Sequence, residues 1–196
     1  MKYSAGMVSQ LFWFTETKMT VGLINQGMTF EDILCKVLNE NIYQIKAEDR
    51  RKRAFNCILK RINALPENLA KKIDRMDTSS AKILMLIGIM KTDLLFFEFV
   101  YEVFREKIKL GEKKLEDKDL NLFFDNKLSQ SEIVQKWSDS GIKKLKNCYV
   151  KLLAEAGLLS DTKGNREIIP ALINYKVADE LVKADMEVYL NAVKGV

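Results

Sequence analysis

The 196-residue chain contains no histidine. That removes histidine-dependent triads, imidazole-ligated zinc and the side chain most used for acid–base work near neutral pH. Cysteine is scarce as well. Cys35, Cys57 and Cys148 are widely spaced and form no CxxC pair, so neither a zinc ribbon nor a thioredoxin-like centre is expected. An odd count without a secretion signal fits reduced thiols in a cytoplasm, each serving as a small residue in or near the core. No GxxxxGK(S/T), GxGxxG or GxSxG pattern occurs, and no pair of carboxylates is marked as catalytic. No enzyme activity, cofactor or metal is therefore expected. Only two prolines and nine glycines interrupt the chain, which favours a mainly α fold.

Long hydrophobic runs are missing too. The most apolar region, residues 81–104, is broken by Lys91, Asp93, Glu98 and Glu102. Each of these is costly at the centre of a bilayer, and the clean runs fall well short of the roughly 20 residues a spanning helix needs. This region reads instead as two core helices that meet near Lys91-Thr92-Asp93. A cytoplasmic protein with no membrane partner is expected. Apolar residues make up 47% and charged residues 30%, a balance that supports a folded core. The net charge of +5 permits a polyanionic partner without requiring one.

The N-terminal part, residues 1–110, reads as a multi-helix bundle. A helix is expected over 11–25, with Phe12-Trp13-Phe14 packed in the core, and Thr29 with Asp32 makes a capping box for a second. A third is expected over 47–65, with Pro66 early in a fourth, and Asp77-Thr78-Ser79-Ser80 opens the central hydrophobic pair. Residues 107–119 are dense in charges that nearly cancel and form an elbow before a C-terminal module, 111–196.

Residues 128–170 of that module read as a winged helix-turn-helix. Ser129 or Ser131 can cap a short helix carrying Ile133, Val134 and Trp137. After a break at Ser138-Asp139-Ser140-Gly141, a longer helix runs to about Ala156 and stops at Gly157. Leu158-Leu159 and Ile168-Ile169 then flank Ser160-Asp161-Thr162-Lys163-Gly164-Asn165-Arg166, which suits a β-hairpin tip. Helix, turn, helix and hairpin is the layout that presents a second helix to a DNA major groove. Ile142, Leu145, Tyr149, Leu152, Leu153 and Ala156 form the apolar stripe of that helix. Lys143, Lys144, Asn147 and Lys151 lie opposite, with Val150 and Ala154 between them. Long cations reach phosphates and an asparagine amide can pair with an adenine edge. Lys163 and Arg166 are expected on the wing. The alternative is a solvated face on a winged helix that docks proteins.

A second basic feature is Arg50-Arg51-Lys52-Arg53, continued by Lys60 and Arg61. Arg51 falls in line with the apolar stripe and should be half-buried or paired, whereas Lys52, Arg53 and Lys60 point away and can extend a phosphate-binding footprint. The alternative is a charged face held by nearby acids such as Glu48 and Asp49.

At these residues the chain resembles the BrxA family, the small protein A of BREX bacteriophage-exclusion systems. The resemblance rests on Tyr3-Ser4-Ala5-Gly6, Phe12-Trp13-Phe14, Arg50-Arg51-Lys52-Arg53, Lys91-Thr92-Asp93 with Phe96-Phe97-Glu98-Phe99, and Trp137-Ser138. It implies a protein acting beside a methyltransferase, an alkaline-phosphatase-like protein and ATPases of the BREX system. It also implies a likeness to the all-helical antitermination factor NusB, which binds RNA, although fold does not fix function. The expectation is a non-enzymatic component that contacts double-stranded DNA. An adaptor between BREX proteins and an RNA-binding protein are the alternatives.

Overall fold

The computed structural model describes residues 2–164 and 166–196; Met1 and Asn165, one residue of the expected hairpin tip, lie outside the described residues. A 3-10 turn, Gly6–Ser9, precedes α1, Phe14–Asn25. Helix α2, Phe30–Cys35, continues into a π-helical turn, Lys36–Glu40, and α3 spans Glu48–Asn63. Helices α4, Glu67–Ala70, and α5, Thr78–Thr92, lead to α6, Leu94–Phe99. A π-helical turn, Val100–Phe104, joins α6 to α7, Arg105–Lys109. The remainder comprises α8, Asp117–Gln130; α9, Glu132–Gln135; α10, Asp139–Glu155; α11, Tyr175–Lys183; and α12, Glu187–Lys194. The fold is mainly helical. No helix among the described residues is long and apolar enough to cross a membrane.

Local chemistry sets several of the helix starts. Thr29 and Asp32 form the reciprocal capping box. Asp77 accepts the Ser80 amide at 2.8 Å and Asp93 accepts the Phe96 amide at 2.9 Å, so α5 and α6 begin where a short carboxylate meets orphan N–H groups. Ser138 caps α10 by accepting from Gly141. Residues 139–141 therefore belong to the first turn of α10 rather than to a break before it. Gly157, at φ 83°, ends that helix in the left-handed conformation that costs a glycine nothing.

Helix α1 starts later than its apolar pattern predicts. The Leu11 and Phe12 carbonyls accept from the Arg61 guanidinium, at 2.6 and 3.3 Å, instead of from helical amides. Trp13 then adopts φ 59° before Phe14 enters the helix.

Helix α5 is the central element. It is buried on nearly every side and packs against α3, α6, α10 and α12. Gly88 lets it close on α3: a Cβ there would sit 3.0 Å from the Arg61 carbonyl oxygen. On the other flank, Tyr149 of α10 meets Phe96, Phe99 and Phe124 at ring-centroid distances of 5.0, 5.3 and 5.6 Å. Buried residues from both sides of residues 110–111 form one continuous core. Helix α12 reaches back across the chain to pack on α5 and α7, and the Tyr189 ring lies 4.8 Å from Phe97.

The charged elbow is pinned rather than loose. Lys107 is buried and pairs with Glu112 and, at 3.0 Å, with Asp119. Beyond it, the described residues make two isolated antiparallel bridges, Lys114↔Glu167 and Leu159↔Ile168. The expected flanks of the hairpin do pair, with the Ser160 amide on the Glu167 carbonyl at 3.0 Å and the Ile169 amide on the Leu158 carbonyl at 2.9 Å, and they gain an unforeseen third segment, residues 113–115. Leu115 donates to the Arg166 carbonyl at 3.0 Å and Ile168 to the Lys113 carbonyl at 2.8 Å.

A buried cation ties the N-terminus to this assembly. Lys127 of α8, 6% exposed at its side chain, pairs with Glu98 at 2.6 Å and Glu102 at 2.9 Å. The Tyr3 hydroxyl donates to Glu98 at 2.7 Å. Tyr3-Ser4-Ala5-Gly6 and Phe96-Phe97-Glu98-Phe99, far apart in sequence, are therefore contact partners.

Candidate nucleic-acid interface

The apolar stripe expected on α10 is buried at all six positions, Ile142, Leu145, Tyr149, Leu152, Leu153 and Ala156. Val150, expected between the polar residues, is buried as well. Burial of that stripe leaves Lys143, Lys144, Asn147 and Lys151 exposed. They do not all line one cleft. Lys144, Asn147 and Lys151 line a cleft of about 320 Å³ whose opposite wall is Val8, Gln10 and Leu11. Lys143 lines a different cleft, reached by Asn147 as well and shared with Lys146, Asp117, Asp125 and Asp139, where a phosphate would meet three carboxylates beside two lysines.

The same N-terminal segment forms the wall of a second cleft, of about 550 Å³, whose far side is α3 with Arg50, Arg53, Asn56 and Lys60. The two basic patches, some ninety residues apart in sequence, thus stand on either side of residues 8–11. Glu155 is the one carboxylate lining either cleft among the described residues, and it pairs with Lys151 at 3.5 Å. Arg53 donates through Nε to the Asp49 carbonyl at 3.2 Å, and Lys60 to the Thr92 carbonyl at 3.3 Å. Neither is locked to a carboxylate by these bonds. The Arg50 guanidinium lies 5.9 Å from the Trp13 ring, a cation–π contact that leaves its charge available. Lys52 is exposed but lines neither cleft.

Arg166 does not stand in solvent as the wing cation expected from the sequence. It is 8% exposed, its Nε donates to the Leu115 carbonyl at 2.9 Å, and it pairs with Asp117 at 2.6 Å. The cause is the third segment of the bridge region, which brings a carbonyl and a carboxylate against a side chain that a simple hairpin would leave in water. Lys163 remains exposed at the hairpin, where its amide donates to Asp161. Cys35 is exposed rather than in or near the core, where the sequence places it. On α9, Val134 is buried and Ile133 is 42% exposed. Arg51 is half-buried and donates to the Ile45 carbonyl, as its place on the stripe requires.

Gln10 and the two inner cysteines carry no sequence signal of a place at this surface, and Arg61, part of the second basic feature, lies beneath it rather than on it. Arg61 is 5% exposed beneath the shared wall, and besides Leu11 and Phe12 it reaches Gln10 Oε1 at 3.4 Å. Cys57 donates to the same Gln10 oxygen at 3.3 Å, and Cys148 donates to the Met7 carbonyl at 3.4 Å. Burial pushes both thiols up, Cys148 to about 11, although the Arg61 cation beside them pulls the other way. They are neutral donors at physiological pH. Burial also lowers the Arg61 guanidinium from its ordinary value, and raises the Asp93 carboxyl although the Phe96 amide, Lys60 and Arg61 oppose that. A guanidinium nonetheless stays protonated in any protein.

Fold and surface together define a mainly helical protein that turns an open, two-sided cationic face to solvent. The family model described as BrxA matches residues 1–185. "BREX protein BrxA" of Bacillus cereus (strain H3081.97) is 39% identical over 98% of this chain and 96% of its own. The protein of the same name from Paramagnetospirillum magneticum (strain ATCC 700264 / AMB-1) is 21% identical over 84% of this chain and 83% of its own. The Escherichia coli O9:H4 (strain HS) BrxA is 26% identical over 68% of this chain and 62% of its own. A crystal structure of an uncharacterized protein from Magnetospirillum magneticum superposes with a TM-score of 0.81 over the full length of both chains, at 21% identity, a likeness of fold. The chain belongs to the BrxA family, a component of BREX systems.

Proposed function

We propose that this chain is a non-enzymatic, cytoplasmic, DNA-binding component of a BREX phage-defence system, contacting duplex DNA through its cationic face. The observation that carries the reading is the convergence of Lys144, Asn147 and Lys151 with Arg50, Arg53 and Lys60 on one surface. Positive side chains lining adjoining clefts raise the local concentration of a polyanion, and phosphate contacts supply most of the affinity of non-specific binding. Asn147, flanked by two lysines, is placed to read a base edge once the backbone is engaged.

In this reading, residues 111–196 act as a winged-helix module and residues 1–110 supply the second cationic wall. Two features favour a winged helix. Helices α8, α9 and α10 lead directly into the paired residues 159 and 168, and a segment before those helices, residue 114, bridges to the neighbouring residue 167. Lys163 is a peripheral backbone contact, Lys52 lies at the edge of the footprint, and Lys143 and Arg166 make no phosphate contact.

Converting Lys144 and Lys151 together to glutamate should weaken duplex affinity at least tenfold at low salt, with a melting temperature lowered by only a few degrees, because both side chains are exposed and the Lys151–Glu155 pair that is lost is a surface one. Fluorescence anisotropy checks this; wild-type affinity in that variant contradicts the assignment of α10. A second reading, an adaptor docking other BREX proteins such as the methyltransferase, phosphatase-like protein or ATPases, is favoured by one observation. Leu172 and Tyr175 are 70% and 75% exposed in the segment after the hairpin. Copurification of such a partner with no duplex binding at low salt would support the adaptor, and preference for matched RNA would support an RNA-binding protein.

A further inference from the structure

Residues 8–11 are more than a boundary between two clefts. They form a ridge with cations on both sides: Arg53 and Lys60 of α3 on one, Lys144 and Lys151 of α10 on the other. Val8 and Ser9 are exposed on this segment, and both side chains are short enough to allow close approach of a ligand. The ridge is held from below. Arg61 binds the carbonyls of Leu11 and Phe12, and Cys57 and Cys148 pin Gln10 and Met7 from the two flanking helices. A segment anchored at so many points is ordered before any ligand arrives, which spares the cost of ordering it on binding.

We propose that residues 8–11 act as a keel that enters a groove of duplex DNA, with the α3 cations on one phosphate backbone and the α10 cations on the other. The inference rests on the duplex-binding reading and specifies its geometry. Two rows of cations separated by a narrow wall match two lines of phosphate separated by a groove, which is what a duplex presents, with groove widths of about 6 and 12 Å. A single strand carries one line of phosphates and can fill one cleft at a time. The keel therefore selects duplex over single strand by geometry as well as by charge density. Arg61 is a positioning residue in this scheme: it sits beneath the keel, holds it at the height at which both clefts open, and touches no ligand itself.

The test compares the full chain on a duplex of about 20 base pairs and on one of its strands, by anisotropy across a salt series. The variants are Arg53→Glu with Lys60→Glu on the α3 side, Lys144→Glu with Lys151→Glu on the α10 side, the two pairs combined, and Val8→Glu on the keel. The duplex salt slope should fall by about two for each charge-reversed pair and by about four for both, since each neutralised phosphate contributes about 0.9. Val8→Glu should cost at least tenfold on duplex at an unchanged melting temperature. On the single strand, only one of the two pairs should matter. The neutral variants Arg53→Gln and Lys60→Gln, with smaller losses in the same direction, guard against misfolding of the charge-reversed protein. If the α10 pair weakens duplex binding while the α3 pair and Val8→Glu leave affinity and slope at wild type, the keel is wrong and the duplex reading stands. If wild type shows no salt-dependent duplex binding at all, both fall.

Discussion

Replacing Arg61 with methionine should lower the melting temperature by roughly 6–12 °C and speed alkylation of Cys57 and Cys148. The side chain is 5% exposed and serves three acceptors, the Leu11 and Phe12 carbonyls and Gln10 Oε1. Methionine fills a comparable volume but donates nothing, so the buried Phe12 carbonyl and the half-buried Leu11 and Gln10 oxygens lose their partner. An unmet buried acceptor costs about 1–3 kcal/mol, and hydrogen bonds to a charged donor contribute about 1.5–3 kcal/mol each. Against this, the variant no longer buries a cation, whose desolvation is what lowers the Arg61 guanidinium. The lost bonds outweigh that gain because every acceptor is backbone or amide that must stay where it is. A net loss of about 3 kcal/mol, at about 2–4 °C per kcal/mol for a chain of this size, gives the expected shift.

The cysteine readout separates a local role from a global one. In a Cys35→Ser background the exposed thiol is gone, and the two that remain are neutral and partly covered by the segment that Arg61 holds. Release of that segment uncovers both, and the gain in access outweighs the loss of the Arg61 cation that favours their thiolates, because burial is the larger cause of their raised pKa and is relieved at the same time. Arg61→Lys should recover only part of the stability, because one ammonium cannot span acceptors that a planar fork reaches together. An unchanged melting temperature with unchanged thiol reactivity would show that the segment is held by packing alone.

Replacing Lys127 with methionine should cost about 2–4 kcal/mol. Its ammonium is nearly excluded from water and sits between Glu98 at 2.6 Å and Glu102 at 2.9 Å, with the Phe123 ring at 5.1 Å. Removing one member of a buried pair costs about 3–5 kcal/mol, since the other charge stays behind without compensation. The expectation is set somewhat lower because Glu102 is 46% exposed at its side chain and can turn to water, as surface partners do. Glu98, 20% exposed and accepting from Tyr3, has less freedom. Glu98→Gln in the Lys127→Met background should therefore recover part of the loss, and chemical denaturation of the two single variants and the double variant measures that coupling. Strict additivity would mean that the pair contributes nothing beyond its packing.

Much of the helical architecture is legible because its determinants are local. The Thr29–Asp32 box, the Asp77 cap and the Gly157 stop each act within a few residues, and each lies where its pattern places it. What escaped depends on partners distant in sequence. Helix α1 begins late because Arg61, about fifty residues on, takes the carbonyls that its first turn would otherwise use. Arg166 looked like a wing cation because nothing near it in sequence predicts the segment over 113–115 that buries it. A helical wheel separates Lys143 and Lys144 by one step and cannot tell that one faces the aspartates of α8 while the other faces the N-terminal segment. The two basic patches were visible singly; their shared wall exists only in three dimensions. Arg61 left one trace, a cation falling on the apolar stripe of α3 between Ile58 and Ile62.

The most direct test of the central claim is the affinity of the wild-type protein for duplex DNA as a function of salt. With Arg50, Arg53, Lys60, Lys144 and Lys151 on one face, the logarithm of the association constant should fall linearly with the logarithm of salt concentration, at a slope of about −3 to −5. No binding at low salt, or an affinity that does not change with salt, would contradict it.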